Sequence, residues 1–242
     1  MICFLKKYFF VLLDIIYPAF CPGCKSKIKA ESELPICQTC LGHVKIDDSP
    51  RCYKCGNRLE GVRSNKYGCR FCRKKTYSFD HAFSVARYTG ATKACLHLFK
   101  YKRKTQLAKP LGQMMLAFIN HQDAIDTLDL IIPVPLHRSK LIERGFNQAE
   151  LLSKILAAGL NKDISCNNLY RVKKTRSQFK LKKTERFKNV ENGFACRYPD
   201  KLYGKSILLV DDIFTTGATL NECALSLKEA GAKAVIALTM AR

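Results

Sequence analysis

The strongest restriction on the fold of this chain is a set of four C-x-x-C pairs near its N-terminus. The pairs take up eight of the thirteen cysteines and are Cys21/Cys24, Cys37/Cys40, Cys52/Cys55 and Cys69/Cys72. This spacing is typical of zinc ligands and predicts two closed, structural Zn²⁺ sites. Because the intervening sequence has few apolar runs, it can form little core without metal. Metal-bound thiols indicate a reducing compartment, so we expect a cytoplasmic protein.

The order of the pairs leaves two arrangements open. Sequential pairing would place the first four cysteines in one zinc ribbon and the last four in another, whereas a cross-brace would combine alternate pairs. In both cases residues 21–78 are expected to form a small cysteine-rich module, a double zinc ribbon.

Residues 1–20 start with a basic, apolar sequence that resembles the beginning of a signal peptide. Asp14 interrupts the apolar run, no small-residue cleavage site follows, and the run is too short for a membrane span. We therefore predict an apolar helix that is buried or docked. Weak contact with a membrane surface is the alternative, because Lys6 and Lys7 lie beside Phe9 and Phe10.

The charge of the chain points to phosphate-bearing partners. Its 42 Lys and Arg residues against 20 Asp and Glu residues give a formal net charge of +22. Two four-thiolate zinc sites would lower this by about 4 units, which leaves a strongly basic protein. Such a field attracts nucleic acids, phosphorylated metabolites and anionic lipids.

From residue 79 onwards, apolar strand patterns alternate with helical ones. The segments "HAFSVARY", "LDLIIPVPL", "KSILLVDD" and "AVIALTM" read as strands, and amphipathic helices lie between them. This alternation predicts an α/β domain over residues 79–242, with a mostly parallel sheet covered by helices on both faces.

The segment "ILLVDDIFTTGATL" places two acids and a small-residue loop between a strand and a helix. Backbone N–H groups of such a loop can converge on a phosphate at the helix N-terminus. Adjacent carboxylates would repel that phosphate unless they face sugar hydroxyls or Mg²⁺. The alternative is an ordinary capped helix, with Thr219 and Glu222 as a capping box.

This segment closely resembles the phosphoribosyl pyrophosphate (PRPP) motif of type I phosphoribosyltransferases. The resemblance implies that Asp211 and Asp212 hold the ribose hydroxyls of PRPP and that Mg²⁺ accompanies the ligand. It assigns the 5′-phosphate to the loop residues Thr215, Thr216, Gly217, Ala218 and Thr219. Enzymes of this class that act on 6-oxopurines usually carry an Asp general base where this chain has Thr215. They also continue into a hood beyond the last strand, whereas this sequence ends at Arg242, so no nucleobase pocket can be named from the sequence and a hood could come only from the N-terminal half.

Further segments resemble the competence protein F (ComF) family over nearly the whole chain. They are "RGFNQ", T-x-x-Q at Thr175 and Gln178, R-x-x-N at Arg186 and Asn189, and the PRPP motif. The resemblance implies a type I phosphoribosyltransferase fold and a part in natural transformation, in the handling of imported single-stranded DNA with a helicase-like partner. An active transferase that moves phosphoribose onto an unidentified base or amine is the alternative.

Two basic segments complete the predicted site. Arg138, Lys140 and Arg144 follow a strand where a pyrophosphate loop is expected, and arginine suits bidentate phosphate contacts. Residues 171–188 contain nine basic residues and one acid, and they predict a loop that closes over PRPP, a DNA contact, or both. The alternative is a basic surface loop without a fixed ligand. The candidates there are Arg171, Lys173, Lys174, Arg176, Gln178, Lys182, Lys183 and Arg186.

Overall fold

A computed structural model describes residues 18–28, 32–59, 68–70, 72–73, 76–173 and 190–242. Its contacts divide the chain into two compact units, Met1–Lys45 with Tyr88–Leu107 and Ile46–Arg87 with Ala108–Arg242. Most of the predicted N-terminal helix lies outside the described residues, but Ala19 and Phe20 form a strand and not the end of a helix. Within the described ranges, no helix is long and apolar enough to span a membrane.

The first unit is small and contains the first two cysteine pairs. Its elements are β1 (Ala19–Phe20), β2 (Lys27–Ile28), α1 (Gln38–Gly42), α2 (Gly90–Tyr101) and a 3₁₀ turn (Thr105–Leu107). Strands β1 and β2 pair antiparallel. Cys95, Leu96 and Phe99 recur at helical spacing and are fully buried, so they form the apolar face of α2.

The second unit contains a five-stranded parallel sheet in the order β3-β9-β8-β4-β5. Its elements are β3 (His81–Ala86), α3 (Ala108–Ile119), β4 (Leu130–Pro133), α4 (Arg138–Arg144), α5 (Gln148–Leu160), β5 (Asp163–Ile164), β6 (Leu169–Arg171), β7 (Phe194–Cys196), β8 (Ser206–Ile213), α6 (Ala218–Glu229) and β9 (Ala234–Ala241). Strands β6 and β7 form a separate antiparallel pair. The parallel sheet confirms the predicted α/β class.

Strand β8 is central because its apolar run can be buried on both faces. Ile207 and Leu209 face a buried cluster that also contains Cys223 and Leu227 of α6. Leu208, which alternates with them along the strand, points to the opposite face, where α5 packs on β4 and β8. The central position of β8 places its C-terminal end in the middle of the carboxyl edge of the sheet.

The third and fourth cysteine pairs belong to the second unit, and hydrogen bonds from the segment that begins this module join it to β3. The Asp47 amide donates to the Val85 carbonyl at 2.9 Å, and the Arg51 guanidinium donates to the carbonyls of Ser84 and Asp47. The Asp47 carboxylate accepts hydrogen bonds from the Ser49 hydroxyl at 2.6 Å and from Nε of Arg87 at 3.1 Å. Burial opposes ionisation, but these donors lower the pKa of Asp47 to about 2.

We expect Asp47→Asn to lower the free energy of unfolding by about 1–3 kcal/mol, because charge-assisted hydrogen bonds at a part-buried site are lost. Urea unfolding at pH 7 measures this change. Asp48→Asn is the matched control, since Asp48 is exposed and its substitution changes the net charge equally. Equal stabilities of the two variants would refute this role of Asp47.

Candidate functional site

The predicted acids lie at the carboxyl edge of the sheet, at the end of β8. Asp212 is buried, with 5% of its surface exposed, and Asp211 is partly exposed. The Asp212 amide donates to Oδ1 of Asp211 at 2.8 Å. Because both residues are within the strand, their side chains point to opposite faces of the sheet. The two carboxylates are therefore placed for contacts with different groups.

Arg171 is a charged neighbour of Asp211. It lies at the end of β6, half-buried, with its guanidinium 5.2 Å from the ring centroid of Phe194. Burial lowers the pKa of Arg171, and the nearby negative charge of Asp211 opposes this shift. Arg171 thus belongs to the surroundings of the predicted PRPP site.

The predicted phosphate loop is a tight turn that leads into α6. Gly217 has φ of +77°, in the left-handed region that favours glycine, and it is the N-cap of α6. Glycine has no side chain, so the N-cap residue offers no side-chain acceptor to the backbone amides of the first turn of α6. Thr216 Oγ1 lies 3.4 Å from the Ala218 amide, and Thr215 is exposed. This geometry suits an anion at the start of a 12-residue helix.

The alternative capping box is wrong. Helix α6 begins at Ala218, so Thr219 is its second residue and is not the N-cap. Glu222 instead accepts a hydrogen bond from the Asn192 amide at 3.2 Å, and burial raises its pKa. The acid of the expected box therefore ties α6 to the segment before β7.

The pyrophosphate candidates lie on a short helix, α4, and not on an irregular loop. Arg138 begins this seven-residue helix and is exposed, Lys140 pairs with Glu143 at 2.5 Å, and Arg144 ends it. Strand β4 precedes α4 and runs parallel to β8, with Pro133 opposite Val210. Because adjacent parallel strands end at one edge, α4 follows the same edge of the sheet as the acids.

The "RGFNQ" segment is a structural turn between α4 and α5. The Arg144 guanidinium donates to Oε1 of Gln148 at 3.1 Å, and Gly145 ends α4 in a left-handed conformation. Asn147 caps α5 through its Oδ1 and donates from Nδ2 to the Val134 carbonyl at 3.0 Å. The segment therefore orients α4 and α5 relative to the end of β4.

The basic stretch is described only at its beginning. Lys173 is exposed, and its ammonium donates to the Glu191 carbonyl at 3.4 Å. The other candidates lie outside the described residues: Lys174, Arg176, Gln178, Lys182, Lys183 and Arg186.

The eight paired cysteines form two clusters in sequential order, which decides against the cross-brace. One cluster contains Cys21, Cys24, Cys37 and Cys40, and the other contains Cys52, Cys55, Cys69 and Cys72; within each, the Sγ atoms lie within 4.8 Å of one another. The Sγ–Sγ distances are 3.6 Å for Cys24 to Cys37 and 3.8 Å for Cys52 to Cys72. A tetrahedral ZnS₄ site has edges of about 3.8 Å. The geometry thus fits structural zinc in both clusters.

A buried tyrosine beside the phosphate loop escaped the sequence analysis. The hydroxyl of Tyr77 donates to the Thr216 carbonyl at 3.3 Å. Burial raises the pKa of Tyr77 to about 12, so the phenol keeps its proton and remains a donor at neutral pH. Tyr77 belongs to no motif, and its only sequence signal is its place between the last zinc ligand and β3.

Comparisons with known proteins agree with both parts of this architecture. Residues 12–74 match the family model of the double zinc ribbon domain, and residues 147–242 match that of the phosphoribosyl transferase domain. Competence protein F of Haemophilus influenzae is 29% identical over 95% of this chain and 93% of its own. The DNA utilization protein YhgH of Salmonella typhimurium is 30% identical over 90% of this chain and 94% of its own. Competence protein ComFC of Bacillus subtilis is 29% identical over 86% and 84%, respectively.

The two family models cover the cysteine clusters and the segment from the two-acid strand to the end of β9. The relatives confirm the resemblance deduced from the motifs. The chain therefore belongs to the family that includes competence protein F and the DNA utilization protein YhgH.

Proposed function

We propose that this protein binds PRPP with Mg²⁺ at the carboxyl edge of its sheet and handles imported single-stranded DNA during natural transformation. The observation that carries the first part is the end of β8, where two acids precede a glycine-capped helix N-terminus. The names of its relatives, competence protein and DNA utilization protein, support the second part. The proposal includes a cytoplasmic location and a helicase-like partner.

Each part of the site has its own task in this proposal. The amides and hydroxyls of residues 215–219 bind the 5′-phosphate, and Asp211 and Asp212 accept hydrogen bonds from the ribose hydroxyls. Arg138, Lys140 and Arg144 contact the pyrophosphate. Bound Mg²⁺ would neutralise part of the pyrophosphate charge beside the carboxylates.

The exposed side chain at position 215 favours a binding role over base transfer. Thr215 offers no carboxylate that could take a proton from a base. An assay of pyrophosphate release tests this choice. We expect PRPP binding without release in the presence of nucleobases or DNA, whereas release that requires an acceptor would establish an active transferase.

For DNA, we expect an affinity that falls about 100-fold between 50 and 200 mM salt, as for a protein that neutralises roughly five phosphates of a single strand. Fluorescence anisotropy with an oligonucleotide measures this dependence. Lys182→Gln/Lys183→Gln should weaken binding and flatten the salt dependence. Lys201→Gln/Lys233→Gln is the control, because it removes the same charge from exposed positions outside the basic stretch. Equal effects of the two double variants would refute a DNA contact by this stretch.

A further inference from the structure

Tyr77 lies between the second cysteine cluster, formed by Cys52, Cys55, Cys69 and Cys72, and the phosphate loop, residues 215–219. Four residues separate Tyr77 from the zinc ligand Cys72, and its ring is buried. The Tyr77 hydroxyl reaches the Thr216 carbonyl at 3.3 Å, which is long for such a bond, so we assign most of the contact energy to the ring. The next residue contacts α6, because the Ser78 amide donates a hydrogen bond to Oδ1 of Asn221 at 2.8 Å.

Two further aromatic rings, those of Phe79 and Phe214, pack next to Tyr77 under the phosphate loop. The ring of Phe79 stacks on that of Tyr77, with centroids 4.7 Å apart, and meets the ring of Phe214 edge-on at 6.1 Å. The guanidinium of Arg242 lies 4.0 Å from the centroid of Phe214 and donates to the carbonyl of the zinc ligand Cys55. Two routes therefore join the second cluster to the loop, one through Tyr77 and one through Arg242 and Phe214.

The loop has no spare room above these rings. A Cβ atom at Gly217 would lie 2.6 Å from Cζ of Phe214 and 3.2 Å from Cε1 of Tyr77. The left-handed turn at Gly217 is thus seated directly on the two rings. A change in the position of either ring must change the position of the backbone amides that start α6.

We propose that Tyr77 is a positioning residue for the phosphate loop and that it makes the affinity for PRPP depend on the second zinc ribbon. Zinc in the cluster of Cys52, Cys55, Cys69 and Cys72 would fix the chain before Tyr77, and β3 fixes the chain after it. This inference rests on the proposed PRPP function, and it gives the second ribbon a role at the binding site in addition to stability.

Tyr77→Phe and Tyr77→Leu separate the hydroxyl from the ring. In calorimetric titrations with PRPP and Mg²⁺, we expect the first variant to weaken binding about threefold and the second at least about tenfold. Both variants should retain the zinc content of the wild type. Tyr53→Phe and Tyr53→Leu are the controls, because Tyr53 lies in the same ribbon but is half-exposed.

Hydrogen exchange of the ligand-free protein tests the positioning role without PRPP. In Tyr77→Leu the amides of residues 214–221 should exchange at least about tenfold faster, while those of β9 should keep the wild-type rate. If Tyr77→Leu exchanged uniformly faster throughout the protein and kept the PRPP affinity of the wild type, Tyr77 would have only a structural role. That result would overturn the inference.

The two measurements also distinguish this inference from the function on which it rests. Absence of PRPP binding by the wild type, together with faster exchange of residues 214–221 in Tyr77→Leu, would contradict the proposed function but leave Tyr77 as a positioning residue for the loop. Unchanged exchange of residues 214–221 in Tyr77→Leu would overturn the role of Tyr77, whatever the wild type binds.

Discussion

Cys55→Ser is expected to lose one of two zinc ions and to lower the free energy of unfolding of the sheet-containing unit by at least about 3–5 kcal/mol. Cys55 is fully buried, and its cluster shares the core with Phe79, Leu209 and Phe214. Loss of the metal would leave the remaining thiols buried without the ion that they bind and would open this side of the core. Since whole domains are stable by only about 5–15 kcal/mol, this loss would remove a large part of the stability of the unit and lower its melting temperature.

Zinc content by atomic absorption and thermal unfolding by circular dichroism measure the two effects. Cys166→Ser is the matched control, because Cys166 is only partly buried and lies outside both clusters. Cys24→Ser changes an exposed ligand of the first cluster, and we expect it to lose one zinc ion but to keep the transition of the sheet-containing unit. A melting temperature of Cys55→Ser equal to that of Cys166→Ser would refute the structural role of the second cluster.

The regular parts of the fold could be predicted from the sequence because local patterns determine them. A continuous apolar run such as "ILLV" predicts a strand that is buried on both faces. The run lies in β8, at the centre of the sheet. The cysteine spacing predicted two zinc sites but not their pairing, since sequential and cross-brace arrangements use the same spacing. Only the distances among the Sγ atoms distinguish them.

The errors and omissions concern contacts between residues that are distant in the sequence. Arg138–Arg144 was predicted as part of a loop, but the caps His137 and Gly145 allow a short helix that no apolar period reveals. Glu222 looked like a capping-box acid, yet its partner is the Asn192 amide, 30 residues away. Tyr77 and Arg242 gain their roles only when the second cluster packs beside the phosphate loop.

Asp211→Asn/Asp212→Asn is expected to weaken binding of PRPP with Mg²⁺ by at least about 100-fold, because two charge-assisted hydrogen bonds to the ligand are each worth about 1.5–3 kcal/mol. The sign of the effect is informative. If the carboxylates made no contact with the ligand, removal of two negative charges near an anion would strengthen binding. The single variants separate the two acids, which face opposite sides of the sheet.

Asp200→Asn controls for a change in charge at an exposed position outside the carboxyl edge, and it should bind PRPP as the wild type does. Asp212 is buried, so urea unfolding must show that the variants are folded under the titration conditions.

Isothermal titration calorimetry with PRPP and Mg²⁺ tests the central claim most directly. We predict saturable binding of one PRPP per chain by the wild type and by Asp200→Asn, and at least about 100-fold weaker binding by the double variant. Absence of binding by the folded wild type, or equal or tighter binding by the double variant, would contradict a PRPP site at Asp211 and Asp212.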